Sequence, residues 1–116
     1  MRSRALKLVN LELNQPTVPA ALSILYDALR SARQERFVAV KLIHGYGSSG
    51  VGGDIRIAVQ KILAQKFAAQ EIRAFIPGED WRISNEFSWE LLKRGPGLKQ
   101  DSDLGRANRG ITIVVF

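Results

Sequence analysis

The spacing of apolar residues changes several times along this chain, and these changes limit the possible fold more than any other feature of the sequence. Residues 6–13 alternate between apolar and polar side chains, with Val9, Leu11 and Leu13 on the apolar face, which is typical of a strand with one wet face. After a candidate N-cap at Thr17, apolar residues recur at intervals of three and four, which predicts a helix. The chain therefore begins with a strand followed by a helix.

The alternation of strand and helix continues beyond this first pair. Residues 37–43 form a short run rich in β-branched side chains, which predicts a second strand. A second helix is predicted from Asp54 onward, and residues 71–76 and 110–116 are the predicted third and fourth strands. Strand–helix–strand units place their strands in parallel with helices packed on the sheet.

This order of elements predicts an α/β fold for the single domain 1–116, a two-layer α/β sandwich with a mixed four-stranded sheet. The alternating polarity of the first strand predicts that one sheet face stays open to solvent. Residues 77–109 are long for a connection in a compact domain, so we expect an irregular or partly helical insertion with a short helix ending at Gly95. Trp81 and Trp89 in this insertion belong either to a small core that covers the sheet or to a surface that binds single strands.

The composition excludes several classes of site. The chain has no cysteine, which rules out disulfides, zinc ribbons and cysteine nucleophiles, and its single histidine rules out a multi-histidine metal centre. A carboxylate-bound cation such as Mg²⁺ stays open. The sequence has neither an apolar run near the roughly 20 residues that span a bilayer nor a signal peptide, so we expect a soluble, cytoplasmic protein that does not contact membranes.

The charge is basic and unevenly distributed. The formal net charge is +6, and residues 1–73 carry eleven basic and five acidic side chains, whereas residues 74–116 carry six of each. An excess of this kind favours an anionic partner such as nucleic acid, because each neutralised phosphate releases a condensed counterion. The alternative is a solvated basic surface that only keeps the protein in solution.

The segment between the second strand and the second helix is rich in glycine. Residues 44–53, HGYGSSGVGG, contain five glycines in ten residues, a composition that allows the backbone to approach a ligand closely. Free N–H groups at the start of the next helix favour an anion, so this loop is a candidate phosphate cradle or, alternatively, only a tight connection. It lacks the Gly-Lys-Ser/Thr ending of a nucleotide-binding P-loop.

The sequence resembles the Smr domain, the small MutS-related domain, in the motifs around this loop. His44-Gly45-Tyr46-Gly47, at the end of a strand, is similar to the family's His-Gly-x-Gly motif, and Leu11-Glu12-Leu13-Asn14 stands where the family has Leu-Asp-x-His. The resemblance covers residues 6–76 and 110–116. It implies a fold like the C-terminal domain of translation initiation factor three, and binding of DNA or RNA, in several members with nicking endonuclease activity.

By position, the resemblance makes His44, Glu12 and Asn14 the candidate catalytic residues, with a divalent metal such as Mg²⁺ as a possible cofactor. Asn14 replaces the motif's histidine, and an amide cannot act as a general acid or base near neutral pH. We therefore expect nucleic-acid binding first. A nicking endonuclease with His44 as general acid or base is the alternative, and a module that binds a phosphorylated small molecule or a protein partner is the second. The oligomeric state is left open.

The candidate binding residues cluster by topology. If the first two strands are parallel, their carboxyl ends share the edge where open α/β sheets usually bind ligands. Basic residues flank this edge, and the segment before the last strand either reaches it or forms only a turn. The predicted nucleic-acid-binding residues are Lys41, Gly45, Tyr46, Gly47, Ser48, Ser49, Gly50, Arg56, Arg106 and Arg109.

Overall fold

The computed structural model describes residues 4–46, 51–95 and 97–116. Strands and helices alternate along these residues until the last part of the chain, where two short 3₁₀ turns, Gly78–Asp80 and Leu98–Gln100, lie on either side of a helix. The elements are β1 (Arg4–Asn10), α1 (Val18–Gln34), β2 (Phe37–Ile43), α2 (Val51–Ala68), β3 (Ala74–Pro77), α3 (Glu86–Arg94) and β4 (Ile111–Val115).

The four strands form one mixed sheet in the order β1-β2-β4-β3. β1 is parallel to β2, and β4 is antiparallel to both of its neighbours. β1, β2 and β3 therefore point in the same direction, and β4 starts at the edge where those three strands end. The predicted α/β sandwich with a mixed four-stranded sheet is confirmed.

Helices α1 and α2 cover the first face of the sheet. The predicted N-cap of α1 is confirmed, since the Thr17 hydroxyl accepts a hydrogen bond from the amide N–H of Ala20 at 3.2 Å. The buried stripes of both helices pack on alternate residues of β2, Val40 and Leu42. α2 begins at Val51, before the predicted start at Asp54.

The second face of the sheet is covered over β2, β4 and β3, so the expectation of an open face is wrong there and holds only at β1, where Leu8 is 63% exposed. Residues 78–104 fold across it and supply a second hydrophobic core centred on Trp81, which is fully buried. Alternation along β2 aims Ala39 and Ile43 into this core. The predicted short helix ending at Gly95 is confirmed as α3. Its last backbone hydrogen bond runs from the Gly95 N–H to the carbonyl of Leu91.

The observed strand boundaries differ most from the prediction at the end of β1 and at the start of β3. β1 ends at Asn10, and Leu13 is 65% exposed instead of lying beside Leu11 in the core. The side chain of Asn10 accepts a hydrogen bond from the Glu12 amide at 2.9 Å, which starts a turn before the strand could continue. β3 begins at Ala74 and not at residue 71.

We expect Trp81 to stabilise the domain far more than Trp89, which is 43% exposed. Trp81→Phe should lower the free energy of unfolding by about 2 kcal/mol, because it leaves a cavity and removes a buried hydrogen bond. Trp89→Phe, the matched control, should change it by less than about 0.5 kcal/mol. Urea unfolding of both variants measures the difference, and equal losses would contradict the placement of Trp81 in the second core.

Candidate nucleic-acid interface

Four connections meet at the edge of the sheet where β1, β2 and β3 end. The register pairs Asn10 with Ile43, Ile43 with Ile111 and Pro77 with Thr112, so these strand ends lie side by side. The turn after β1, the glycine segment after β2, the 3₁₀ turn after β3 and the segment before β4 therefore share one edge. The structure brings the predicted candidates Glu12, Asn14, His44, Gly45 and Tyr46 together there.

The carbonyl of Gly110 joins two of these connections. It accepts hydrogen bonds from the backbone amides of His44 at 2.9 Å and Gly45 at 3.0 Å. Gly45 has a φ of 74°, a conformation that suits glycine, and the chain continues to an exposed Tyr46. The start of the glycine segment is thus fixed against the residues that precede β4.

The ring of His44 is enclosed and hydrogen-bonded through both nitrogen atoms. Its Nδ1 lies 2.6 Å from the Gly45 carbonyl, so Nδ1 carries the proton and donates, since a carbonyl only accepts. Its Nε2 then accepts from the Thr112 hydroxyl at 2.8 Å. The side-chain amide of Gln60 donates to the same hydroxyl at 3.3 Å, which completes a chain of donors directed toward the histidine.

Burial lowers the pKa of His44 below its usual value, because desolvation penalises the charged imidazolium. The hydrogen bond to the Gly45 carbonyl opposes this shift, and the positive charge of Arg56 adds to it. His44 is 0% exposed and therefore neutral near pH 7. The ring lies at the predicted edge, but it lies beneath the surface.

The other two candidate catalytic residues lie on the surface. Glu12 and Asn14 are exposed in the turn that follows β1, and Asn14 has a φ of 63°. Among residues 4–46, 51–95 and 97–116, no group of three histidine, aspartate or glutamate side chains is placed to hold a metal ion.

The prediction that Lys41 lies at the surface of this edge and contacts phosphates is wrong, because the residue is buried. Its side chain is buried on the second face of the sheet, where its ammonium group contacts Asp101 at 2.9 Å and also Asp103. Burial opposes the charge, but hydrogen bonds to both carboxylates outweigh it and raise the pKa of Lys41. The charge of Lys41 is therefore balanced by carboxylates inside the protein.

The two carboxylates that hold Lys41 also shape the segment before β4. Asp101 accepts a hydrogen bond from Trp81 Nε1 at 2.9 Å, and Asp103 accepts one from the side-chain amide of Asn108 at 2.9 Å. The side-chain oxygen of Asn108 accepts from the Gly110 amide, also at 2.9 Å. Residues 101–110, called the arginine loop below, are thus connected from Lys41 to the glycine segment.

Three candidate basic residues remain near the surface of this edge. Arg106 and Arg109 are exposed on the arginine loop, and within the part of the chain that the structure describes neither forms an ion pair. Arg56, on the first turns of α2, pairs with Glu79 at 3.2 Å. Its charge is therefore partly neutralised.

Four predicted binding residues, Gly47, Ser48, Ser49 and Gly50, lie outside the described residues. The sequence-based reasoning missed the partners that bury His44 and Lys41, namely Gln60, Thr112, Asp101 and Asp103. A signal existed for Lys41: a lysine within an otherwise apolar strand needs a buried counter-charge. The sequence does not show which carboxylate supplies it.

The comparison with protein families settles the lineage. The family model of the Smr domain matches residues 11–82, more than half of the chain. This protein is a member of the Smr domain family. No curated protein sequence and no solved structure matches it significantly.

The match divides this Smr domain into two parts. The matched range includes the turn after β1, the glycine segment and Trp81, but it ends before α3, the arginine loop and β4. The arginine loop therefore belongs to the part of the chain outside the family model.

Within the described part of the Smr domain, no helix is long and apolar enough to cross a membrane.

The burial of His44 has a measurable consequence for pH dependence. A histidine whose folded-state pKa lies below its unfolded value of 6.5 destabilises the native state as the pH falls below that value, because the unfolded chain takes up the proton first. We expect the free energy of unfolding to fall between pH 7 and pH 5, by at most about 1.4 kcal/mol per pH unit. His44→Asn should remove most of this slope. An unchanged slope in urea titrations of the variant would contradict the enclosed, neutral ring.

Removal of the buried lysine charge should be costly. We expect Lys41→Met to lower the free energy of unfolding by about 2–4 kcal/mol, because it leaves two half-buried carboxylates without their cation. Lys93→Met, an exposed control on α3, should change it by less than about 0.5 kcal/mol. Adding Asp103→Asn to Lys41→Met should recover part of the loss in chemical denaturation. Similar losses for both lysines would contradict the buried ion cluster.

Proposed function

We propose that this Smr domain binds nucleic acid at the edge where β1, β2 and β3 end, through Arg106 and Arg109 of the arginine loop beside Tyr46. The observation that carries the proposal is the pair of hydrogen bonds from the His44 and Gly45 amides to the Gly110 carbonyl. These bonds hold the exposed arginines next to the glycine segment of the family motif. Membership of a nucleic-acid-binding family supports the same conclusion.

The distribution of paired and unpaired cations favours this surface. Lys41 is neutralised inside the protein by two carboxylates, and the charge of Arg56 is partly neutralised by Glu79. Arg106 and Arg109 keep their charge at the surface, and the guanidinium group matches the geometry of a phosphate. The net charge of +6 would add long-range attraction for DNA or RNA.

We propose that the domain binds nucleic acid without cleaving it. A general acid or base must come within hydrogen-bond reach of the scissile phosphate, directly or through one water. The His44 ring is enclosed and engages Gly45 and Thr112 through its two nitrogen atoms. Glu12 and Asn14 lie at the surface, but the amide of Asn14 cannot act as a general acid or base near neutral pH. These features favour a structural role for His44 over a role as the general acid or base of a nicking endonuclease.

The binding surface is tested by removing two charges at either edge of the sheet. We expect Arg106→Gln/Arg109→Gln to weaken binding of a fluorescent oligonucleotide roughly tenfold at low salt and to reduce the slope of log affinity against log salt by about two. Arg36 and Arg73 are exposed at the opposite edge, just before β2 and β3. Arg36→Gln/Arg73→Gln removes the same charge and should leave the slope nearly unchanged. Fluorescence anisotropy measures both.

Three outcomes would contradict the proposal. Equal weakening by both double variants would mean that net charge alone attracts the nucleic acid. Absence of binding at low salt would remove the nucleic-acid function and favour a phosphorylated small molecule, whose single phosphate contact gives a shallow salt slope. Cutting of supercoiled plasmid or structured RNA that His44→Ala abolishes would establish the endonuclease instead.

A further inference from the structure

We propose that Tyr46 is a stacking platform for an unpaired base, so that the domain prefers single-stranded over double-stranded nucleic acid. This inference rests on the proposed function, because it names the form of nucleic acid that the same edge selects. The observation behind it is an exposed aromatic ring that lies beside the arginine loop and is supported from one side by backbone.

Tyr46 differs from the other exposed aromatic residues of the described chain. Tyr26 lies under the ammonium group of Lys66 and Trp89 under that of Lys99, at 5.2 and 5.9 Å from the ring centres. Phe67 and Phe87 pack edge to face against each other with ring centres 6.2 Å apart. Tyr46 is 60% exposed, more than any of these four, and no ring or cation of the described residues covers it.

The position of the Tyr46 ring depends on Gly110. A Cβ atom at residue 110 would lie 3.3 Å from Cδ1 of Tyr46, 3.1 Å from Oδ1 of Asn108 and 3.6 Å from the Cα of Gly45. The ring therefore lies against a stretch of backbone where a side chain would crowd it. Because Gly110 is fixed in turn by hydrogen bonds from His44 and Gly45, the ring is supported from that side.

A supported ring of this kind selects unpaired bases. In a duplex both faces of each base are stacked on neighbours, so an aromatic side chain at the surface finds no free base face. In a single strand the base faces are available, and each stacked base contributes substantially to affinity without sequence preference. Arg109 is the chain neighbour of Gly110, so a phosphate of the same strand can be contacted close to the stacked base.

The test compares two substitutions of Tyr46 on two forms of one oligonucleotide sequence, single-stranded and as a hairpin duplex. We expect Tyr46→Leu to weaken single-strand binding about 5- to 150-fold, the range typical for loss of one stacked base, and duplex binding less than twofold. Tyr46→Phe keeps the ring and should bind the single strand within about twofold of the unsubstituted domain. Thermal unfolding of each variant checks that the fold is retained.

The outcomes separate this inference from the proposed function. Unchanged single-strand affinity of Tyr46→Leu, or an equal loss on single strand and duplex, would overturn the stacking inference. If Arg106→Gln/Arg109→Gln still weakened binding in that case, the proposed function would stand without it. If the unsubstituted domain bound neither form at low salt, the proposed function itself would fail.

Discussion

The ammonium group of Lys41 is buried on the second face of the sheet and pairs with the carboxylates of Asp101 and Asp103. The position of the arginine loop depends on this ion cluster. A buried lysine without a counter-charge would be strongly unfavourable. The carboxylates that supply it lie sixty residues further along the chain, so their pairing draws the arginine loop onto the sheet. Asn108 then extends the network to Gly110, whose carbonyl holds the glycine segment of the family motif.

Lys41 in β2 and His44, the residue after β2, contact opposite faces of the sheet. Lys41 points to the face covered by residues 78–104, whereas His44 lies at the end of the strand and contacts Thr112, which is bonded in turn by Gln60 of α2. The nitrogen atoms of both side chains form ion pairs or hydrogen bonds inside the protein. The surface of this edge therefore presents an aromatic ring and exposed guanidinium groups beside the carboxylate of Glu12 and the amide of Asn14. The ring and the guanidinium groups suit recognition of a polyanion.

Local patterns in the sequence predicted the parts of the fold that local interactions decide. The N-cap at Thr17, the helix that ends at Gly95 and the parallel pairing of β1 with β2 follow from residues close together in sequence. The burial of Lys41 and the covered second face depend on contacts across long stretches of chain, and periodicity carries no information about them. Leu13 lies outside the core because the Asn10 side chain accepts a hydrogen bond from the Glu12 amide, and this contact ends the strand early.

An NMR titration of the ¹⁵N-labelled domain with a short single-stranded oligonucleotide locates the binding surface residue by residue. We expect the largest shifts of amide signals at Gly45, Tyr46 and the arginine loop, with little change at Arg36 and Arg73 on the opposite edge. Shifts concentrated at that opposite edge, or spread evenly over the basic surface, would contradict it.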